Sequence, residues 1–244
     1  MILLLLLAQA AAPAEAADAR FQRCAALATT APERGLADAS AWALAGGGFL
    51  ARQCEGLAYA NQRNFTGAGG ALEAAARAAE VARDARAASL WAQAGNAWLA
   101  AGEPLKAKAA LDAALAAGTL SGLALGEAYL DRARAAVAAG NDGPARADLD
   151  RALVHAKDDP LAWLLSATLA RRTGDLARAK VDIGEALARA EDDAAVQLET
   201  GNVAALSGDE PGARTAWSRA ATLGGASEVA ASARAALAQF KEGR

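Results

Sequence analysis

PLAWLLSATLARRTGDLARAKVDIGEALARAEDD, residues 160–193, decides how this chain is read. Apolar residues recur at three- and four-residue spacing on both sides of Gly174-Asp175, which predicts two amphipathic helices joined by a tight turn. Glycine accepts the left-handed backbone that ends one helix, and the neighbouring Asp can cap the next. A single helix pair cannot bury both its apolar stripes, so a unit of this kind needs copies of itself.

The copies are present. Gly102, Gly140, Gly174 and Gly208 are separated by 38, 34 and 34 residues. Five residues after each comes an alanine (Ala107, Ala145, Ala179, Ala213), and four further on a large apolar residue (Leu111, Leu149, Ile183, Trp217). Three beyond that is another alanine: Ala114, Ala152, Ala186 and Ala220. Seven residues before each glycine the residue is small: Gly95, Ala133, Ala167, Gly201. Eleven before it stands Trp91, Tyr129, Trp163 or Gln197. Small sites let two helices cross closely, and large ones fill the space between layers. Residues 49–82 carry a degraded copy, with Gly56, Tyr59, Ala68, Leu72 and Ala75 in register and Arg63 in place of the turn glycine.

This pattern resembles the tetratricopeptide repeat family, whose signature is an aromatic, a Leu-Gly pair, a Tyr, then Ala, Phe, Ala and Pro over 34 residues. The resemblance places five repeats at 49–82, 88–121, 126–159, 160–193 and 194–227, with Gly118–Leu125 containing an insertion between the second and third. It implies an all-α fold: a right-handed α-helical solenoid of stacked antiparallel helix pairs. Residues 17–47 read as a capping helical pair broken near Pro32, with Trp42 and Leu44 on its apolar side, and 227–244 as a final capping helix and tail. Repeat arrays need such caps to cover the outermost apolar stripes.

Composition agrees. Hydrophobic residues make up 54% but aromatics only 5%, because alanine dominates. Alanine favours helices and lets them approach closely, but buries little area, which suits thin stacked layers rather than one thick core. A net charge of −3, with Arg interleaved among Asp and Glu, offers no phosphate-binding surface, so nucleic acid is not an expected partner.

Residues 1–16 read as a signal peptide and linker. Ile2–Leu7 is an apolar run followed by Ala8-Gln9-Ala10, which fits cleavage after Ala10, although no basic residue precedes the run. A buried N-terminal helix is the alternative. The run is too short for an integral membrane span, which takes about 20 apolar residues. Export, to a periplasm or beyond, places Cys24 and Cys54 where disulfides persist, and both lie in helical patterns that could be neighbours. A Cys24–Cys54 bond is expected; the alternative is two buried thiols. Without a functional signal the chain would be cytoplasmic.

No catalytic, cofactor or metal site is expected. There is one His, His155, and no phosphate-binding loop or nucleophile elbow; Asp158-Asp159 and Asp192-Asp193 read as helix N-terminal caps. Function is therefore expected in a protein–protein interaction scaffold.

The family resemblance implies a concave face lined by each repeat's first helix. It assigns to that face Gln53, Leu57 and Asn61; Ala92, Asn96 and Leu99; Leu130, Arg134 and Val137; Leu164, Thr168, Arg171 and Arg172; and Leu198, Asn202 and Leu206. The expected partner contacts are Asn61, Asn96, Leu130, Arg134, Leu164, Thr168, Arg171, Arg172, Leu198 and Asn202, holding an extended segment or an amphipathic helix of a protein. Asn96 and Asn202 occupy equivalent sites that in family members often hold a peptide backbone, so replacing both by Ala is expected to weaken binding and leave the helical melt nearly unchanged. Gln53, Ala92, Leu130 and Leu164 stand where the family's chaperone-binding members carry a clamp lysine, which argues against that role. The competing reading is a structural or assembly protein acting by self-association; the oligomeric state is open.

Overall fold

A computed structural model of the chain describes residues 11–242, so the apolar run and the expected cleavage site after Ala10 lie outside the described residues. The described residues form thirteen α-helices and no strand. The chain divides into two units, Met1–Ala139 and Gly140–Arg244, and the division falls at the turn inside the repeat assigned to 126–159.

The first unit contains α1 (Ala11–Thr30), α2 (Pro32–Leu44), α3 (Gly48–Asn61), α4 (Phe65–Val81), α5 (Ala87–Ala100), α6 (Pro104–Ala116) and α7 (Gly122–Ala138). Each helix packs on the next, and α1 packs also on α3, as α5 does on α7. The second unit contains α8 (Asp142–His155), α9 (Pro160–Arg172), α10 (Leu176–Arg189), α11 (Ala194–Leu206), α12 (Glu210–Leu223) and α13 (Glu228–Glu242). Here too each helix packs on the next, with α9 also on α11 and α11 on α13. First helices touching first helices, besides their own partners, is the arrangement of stacked helical hairpins.

The repeat rests on one contact. An ideal Cβ built on Gly56 would come within 2.5 Å of Leu72 Cγ, one on Gly95 within 2.5 Å of Leu111 Cγ, and one on Gly201 within 2.4 Å of Trp217 Cδ1. In each case the small residue seven before the turn receives the large residue nine after it. Leu111 and Trp217 are buried, at 0% and 4% exposure. Where the small residue is alanine, as at Ala133 and Ala167, it too is buried.

Turn chemistry follows the residues. Gly102, Gly140, Gly174 and Gly208 all take φ between 73° and 85°, and Arg63 adopts the same left-handed state at φ 58°. Asn64, Asp159, Asp175, Asp193 and Asp209 accept backbone N–H bonds at the starts of α4, α9, α10, α11 and α12. Each such cap contributes about 1 kcal/mol. Asn141 and Glu103 make no side-chain cap; Glu103 instead reaches Lys106 at 3.6 Å.

The first turn of α7 starts at Gly122, inside the inserted segment. One expectation is corrected. Trp42 packs against the buried group around Cys24, whereas Leu44 is 90% exposed. Two residues apart on a helix, the two side chains point about 200° apart and cannot share a face.

Cys24 and Cys54 are disulfide-bonded, both fully buried, with Cα atoms 6.2 Å apart. The bond ties α1 to α3. A paired charge does the same between α1 and α2: Arg20 donates two 2.7 Å bonds to the Asp38 carboxylate while its guanidinium lies over the Trp42 ring. The unit's indoles are anchored likewise, Trp91 Nε1 donating to Glu80 at 2.7 Å and Trp98 Nε1 to Glu73 at 3.3 Å.

Candidate functional site

The first helices of the pairs carry the residues expected to meet a partner. In the first unit they enclose a cavity of ≈470 Å³, lined by Leu57 and Ala60 of α3, Phe65 and Leu72 of α4, Ser89, Ala92, Gln93, Asn96, Ala97 and Ala100 of α5, Leu120, and Ala124, Glu127, Ala128 and Asp131 of α7. Ten of the fifteen are apolar, and the two that carry charge are both carboxylates. A volume of about 300–1,000 Å³ with a few placed polar groups is typical of a binding site.

The helical register places those polar groups. Gln93 and Asn96 lie one turn apart on α5, at nine and six residues before Gly102. Asp131 and Arg134 hold the same two positions before Gly140, on α7. Asn96 Nδ2 donates to Asp131 Oδ2 at 3.2 Å, and Arg134 donates to Asp131 Oδ1 at 2.8 Å. Gln53 Nε2 donates to Gln93 Oε1 at 3.3 Å. Asp131 is thus the hub of the wall. Burial holds its carboxyl above the ordinary value, against the hydrogen bond and charge of Arg134 that pull it down. Glu127, one turn earlier, is exposed.

In the second unit the corresponding face is knitted to itself. Glu199 and Asn202 stand nine and six residues before Gly208 on α11. Arg171 Nε of α9 donates to Glu199 Oε1 at 2.6 Å, Asn202 Nδ2 donates to Glu199 Oε2 at 3.1 Å, and Trp217 Nε1 of α12 donates to Asn202 Oδ1 at 3.1 Å. Glu199 is 5% exposed, so this is a largely buried ionic network. A second one lies beside it. Ser166, fully buried, donates to Asp182 and accepts from Arg146 at 2.7 Å, and Arg178 joins Asp182 at 3.1 Å to Asp150 at 2.6 Å.

The expected contact residues therefore fall into different situations. Asn61 is exposed, with Nδ2 on its own helix at Leu57 O, 2.9 Å away. Asn96 and Arg134 are exposed and meet at Asp131. Leu130 is 3% exposed and offers no surface, because it is consumed in packing. Leu164 and Leu198 are half-buried against the cores around Ile183 and Trp217. Thr168 donates to Leu164 O at 2.8 Å on its own helix. Arg171 is held by Glu199, while Arg172 is exposed. Asn202 has both amide atoms engaged, which corrects the expectation that replacing it would leave the melt unchanged. Gln93, Glu127 and Asp131 were not singled out from the sequence. The nine-before-glycine position carries Gln93, Asp131, Leu165 and Glu199, is acidic or amide in three of four repeats, and finds Gln93 and Asp131; Glu127 stands outside that register.

Among the described residues no three His, Cys, Asp or Glu side chains are grouped to hold a metal ion, and no helix is long and apolar enough to cross a membrane. No family model and no curated protein matches the chain in sequence. Solved structures do match in shape. The chain is similar to PilW, described as a widely conserved type IV pilus biogenesis factor, with TM-score 0.71 and 19% identity over 88% of this chain and 96% of that one. It is similar to Pseudomonas aeruginosa PilF, with TM-score 0.71 and 14% identity over 96% of this chain and 100% of that one. YrrB, described as a TPR protein with an unusual peptide-binding site, matches with TM-score 0.57 and 18% identity over 75% and 90%. At these identities the likeness is one of fold, and together with the small-to-large contact repeated from pair to pair it identifies the chain as one of tetratricopeptide-repeat fold.

Proposed function

We propose that this chain is a non-enzymatic scaffold that binds a segment of another protein on the inner faces of its first helices, and that the first unit's cavity is where the segment lies. The observation that carries this reading is the cavity itself. It is lined mainly by the repeats' first helices, ten of its fifteen residues are apolar, and it holds amides with unused hydrogen-bonding capacity. Gln93 accepts one bond and keeps its NH₂ donors, while Asn96 donates one and keeps its carbonyl. An extended peptide needs one donor and one acceptor per residue from its host, and primary amides supply both. That YrrB is described as having a peptide-binding site supports the same reading.

Export to an oxidising compartment belongs to the proposal. A fully buried disulfide between α1 and α3 is the kind of staple that persists outside the reducing cytosol. The apolar run Ile2–Leu7 supplies the address.

A benzophenone amino acid placed at Ala92, in the cavity, and at Leu105, 72% exposed on α6, tests the reading in the source cell. Illumination should trap a discrete protein adduct from Ala92 and none from Leu105. Equal adducts from both positions, or none from Ala92, would reject the cavity as the binding face. The mass of the chain recovered from those cells reports separately whether residues before Ala11 have been removed.

A further inference from the structure

We infer that the first unit's groove selects a peptide segment in which a Lys or Arg side chain lies within a turn or so of an apolar one, the cation meeting the Glu127–Asp131 edge of α7 and the apolar side chain the floor beneath. The inference rests on the reading of this groove as a peptide-binding face and names the chemistry of its occupant.

Glu127 and Asp131 are four residues apart on one helix and both line the cavity. Like charges at that spacing face each other and repel. Arg134 and Asn96 occupy the two oxygens of Asp131, but neither lines the cavity as a cation, and Glu127 has no partner among the described residues. The lining therefore holds two carboxylates and no cation; Arg134 already pairs Asp131 from outside the lining, and Glu127 supplies the charge left uncompensated. Burial also disfavours the ionised Asp131 carboxylate, so a cation brought alongside relieves a cost already present in the free protein. The apolar requirement comes from Leu57, Phe65 and Leu120, half-buried side chains that line the groove and gain from being covered. An anionic segment would add a third negative charge to the edge and is disfavoured by the same argument.

A random peptide library displayed on phage, selected against the full chain and in parallel against its Glu127→Lys and Glu228→Lys variants, tests this. Glu127 and Glu228 are both exposed, so each variant changes net charge equally while only one touches the groove. Peptides selected on the unaltered chain should be enriched in Lys or Arg beside Leu, Ile or Phe. A synthetic copy of the strongest binder with its basic residue replaced by Gln should bind about two- to fivefold more weakly, the range for a partly exposed ion pair. Glu127→Lys should abolish both the enrichment and that difference, and Glu228→Lys should preserve them. Selected peptides without basic enrichment, an enrichment that survives Glu127→Lys, or one lost equally in Glu228→Lys would overturn the inference while leaving peptide binding intact. A selection that recovers no binder would instead reject the peptide-binding reading beneath it.

Discussion

Asn96 and Asn202 stand at the same register in two copies of one repeat, and they do opposite things. Asn96 is exposed, gives one bond to Asp131, and keeps a carbonyl oxygen for something else. Asn202 is closed between Glu199 and the indole N–H of Trp217. The cause lies at the large site nine residues after the turn, which is Leu111 in one copy and Trp217 in the other. Gly95 and Gly201 make the same room for them, but only an indole has a donor at its edge to reach the Asn. One core substitution thus converts a position on a first helix from an open amide into a brace. A repeat's binding residues cannot be assigned from register alone, because the neighbouring core residue decides whether they are free.

Removing the brace is the strongest way to break the comparison. Trp217→Ala deletes a buried indole and leaves the Asn202 carbonyl without its donor, and should cost about 3–5 kcal/mol in a urea melt. Trp217→Leu, which imitates the other copy, should cost less and leave the helix content unchanged by circular dichroism. A Trp217→Ala chain as stable as the parent would show that the network contributes nothing.

The two asparagines should then separate. Asn202→Ala removes the acceptor of the Trp217 indole bond and the amide donor to one oxygen of a buried carboxylate, a loss of about 1–3 kcal/mol. Asn96→Ala, at an exposed site, should stay within about 0.5 kcal/mol. Equal melting shifts for the two would make them equivalent after all.

The smallest effect is in pH dependence. With its carboxyl held above the ordinary value by burial, Asp131 binds its proton more tightly in the folded chain than in the unfolded one. Its stabilisation is fully present below the ordinary carboxylate value and is lost as pH rises through the raised folded value. Asp38 behaves oppositely: its hydrogen bond from Arg20 lowers it, so its stabilisation is present above the ordinary value and lost as pH falls through the lowered one. Asp131→Asn should therefore flatten the decline in stability between the ordinary carboxylate value and neutrality, measured as urea midpoints, and leave the acid limb in place. An unchanged profile would remove Asp131 as its source.

Much of the fold was legible because its rules are local or periodic. A turn glycine, a cap Asp and small and large sites at fixed offsets can each be read from their spacing, and register alone places Arg63 at a turn, where its backbone is left-handed. The site was less legible. Leu130 lies at a register where a groove residue is expected, yet it is buried. Arg171 is expected among the partner contacts, and it meets Glu199 of the next first helix. Both outcomes depend on contacts between helices that are neighbours in space and roughly a repeat apart in sequence.

By itself the sequence determined that this chain forms helices in pairs, where each pair turns, and which sites are small and which large, because backbone conformation and helical register are set within a few residues. Tertiary structure alone decided which inner-face groups remain available: Gln93, Asn96 and Glu127 with unspent capacity around an apolar cavity, Asn202 and Glu199 consumed by a tryptophan and an arginine from other helices. Hydrogen-bonding capacity is finite, and whether a side chain has spent it depends on what packing brings within 3 Å or so, which no spacing along the chain records.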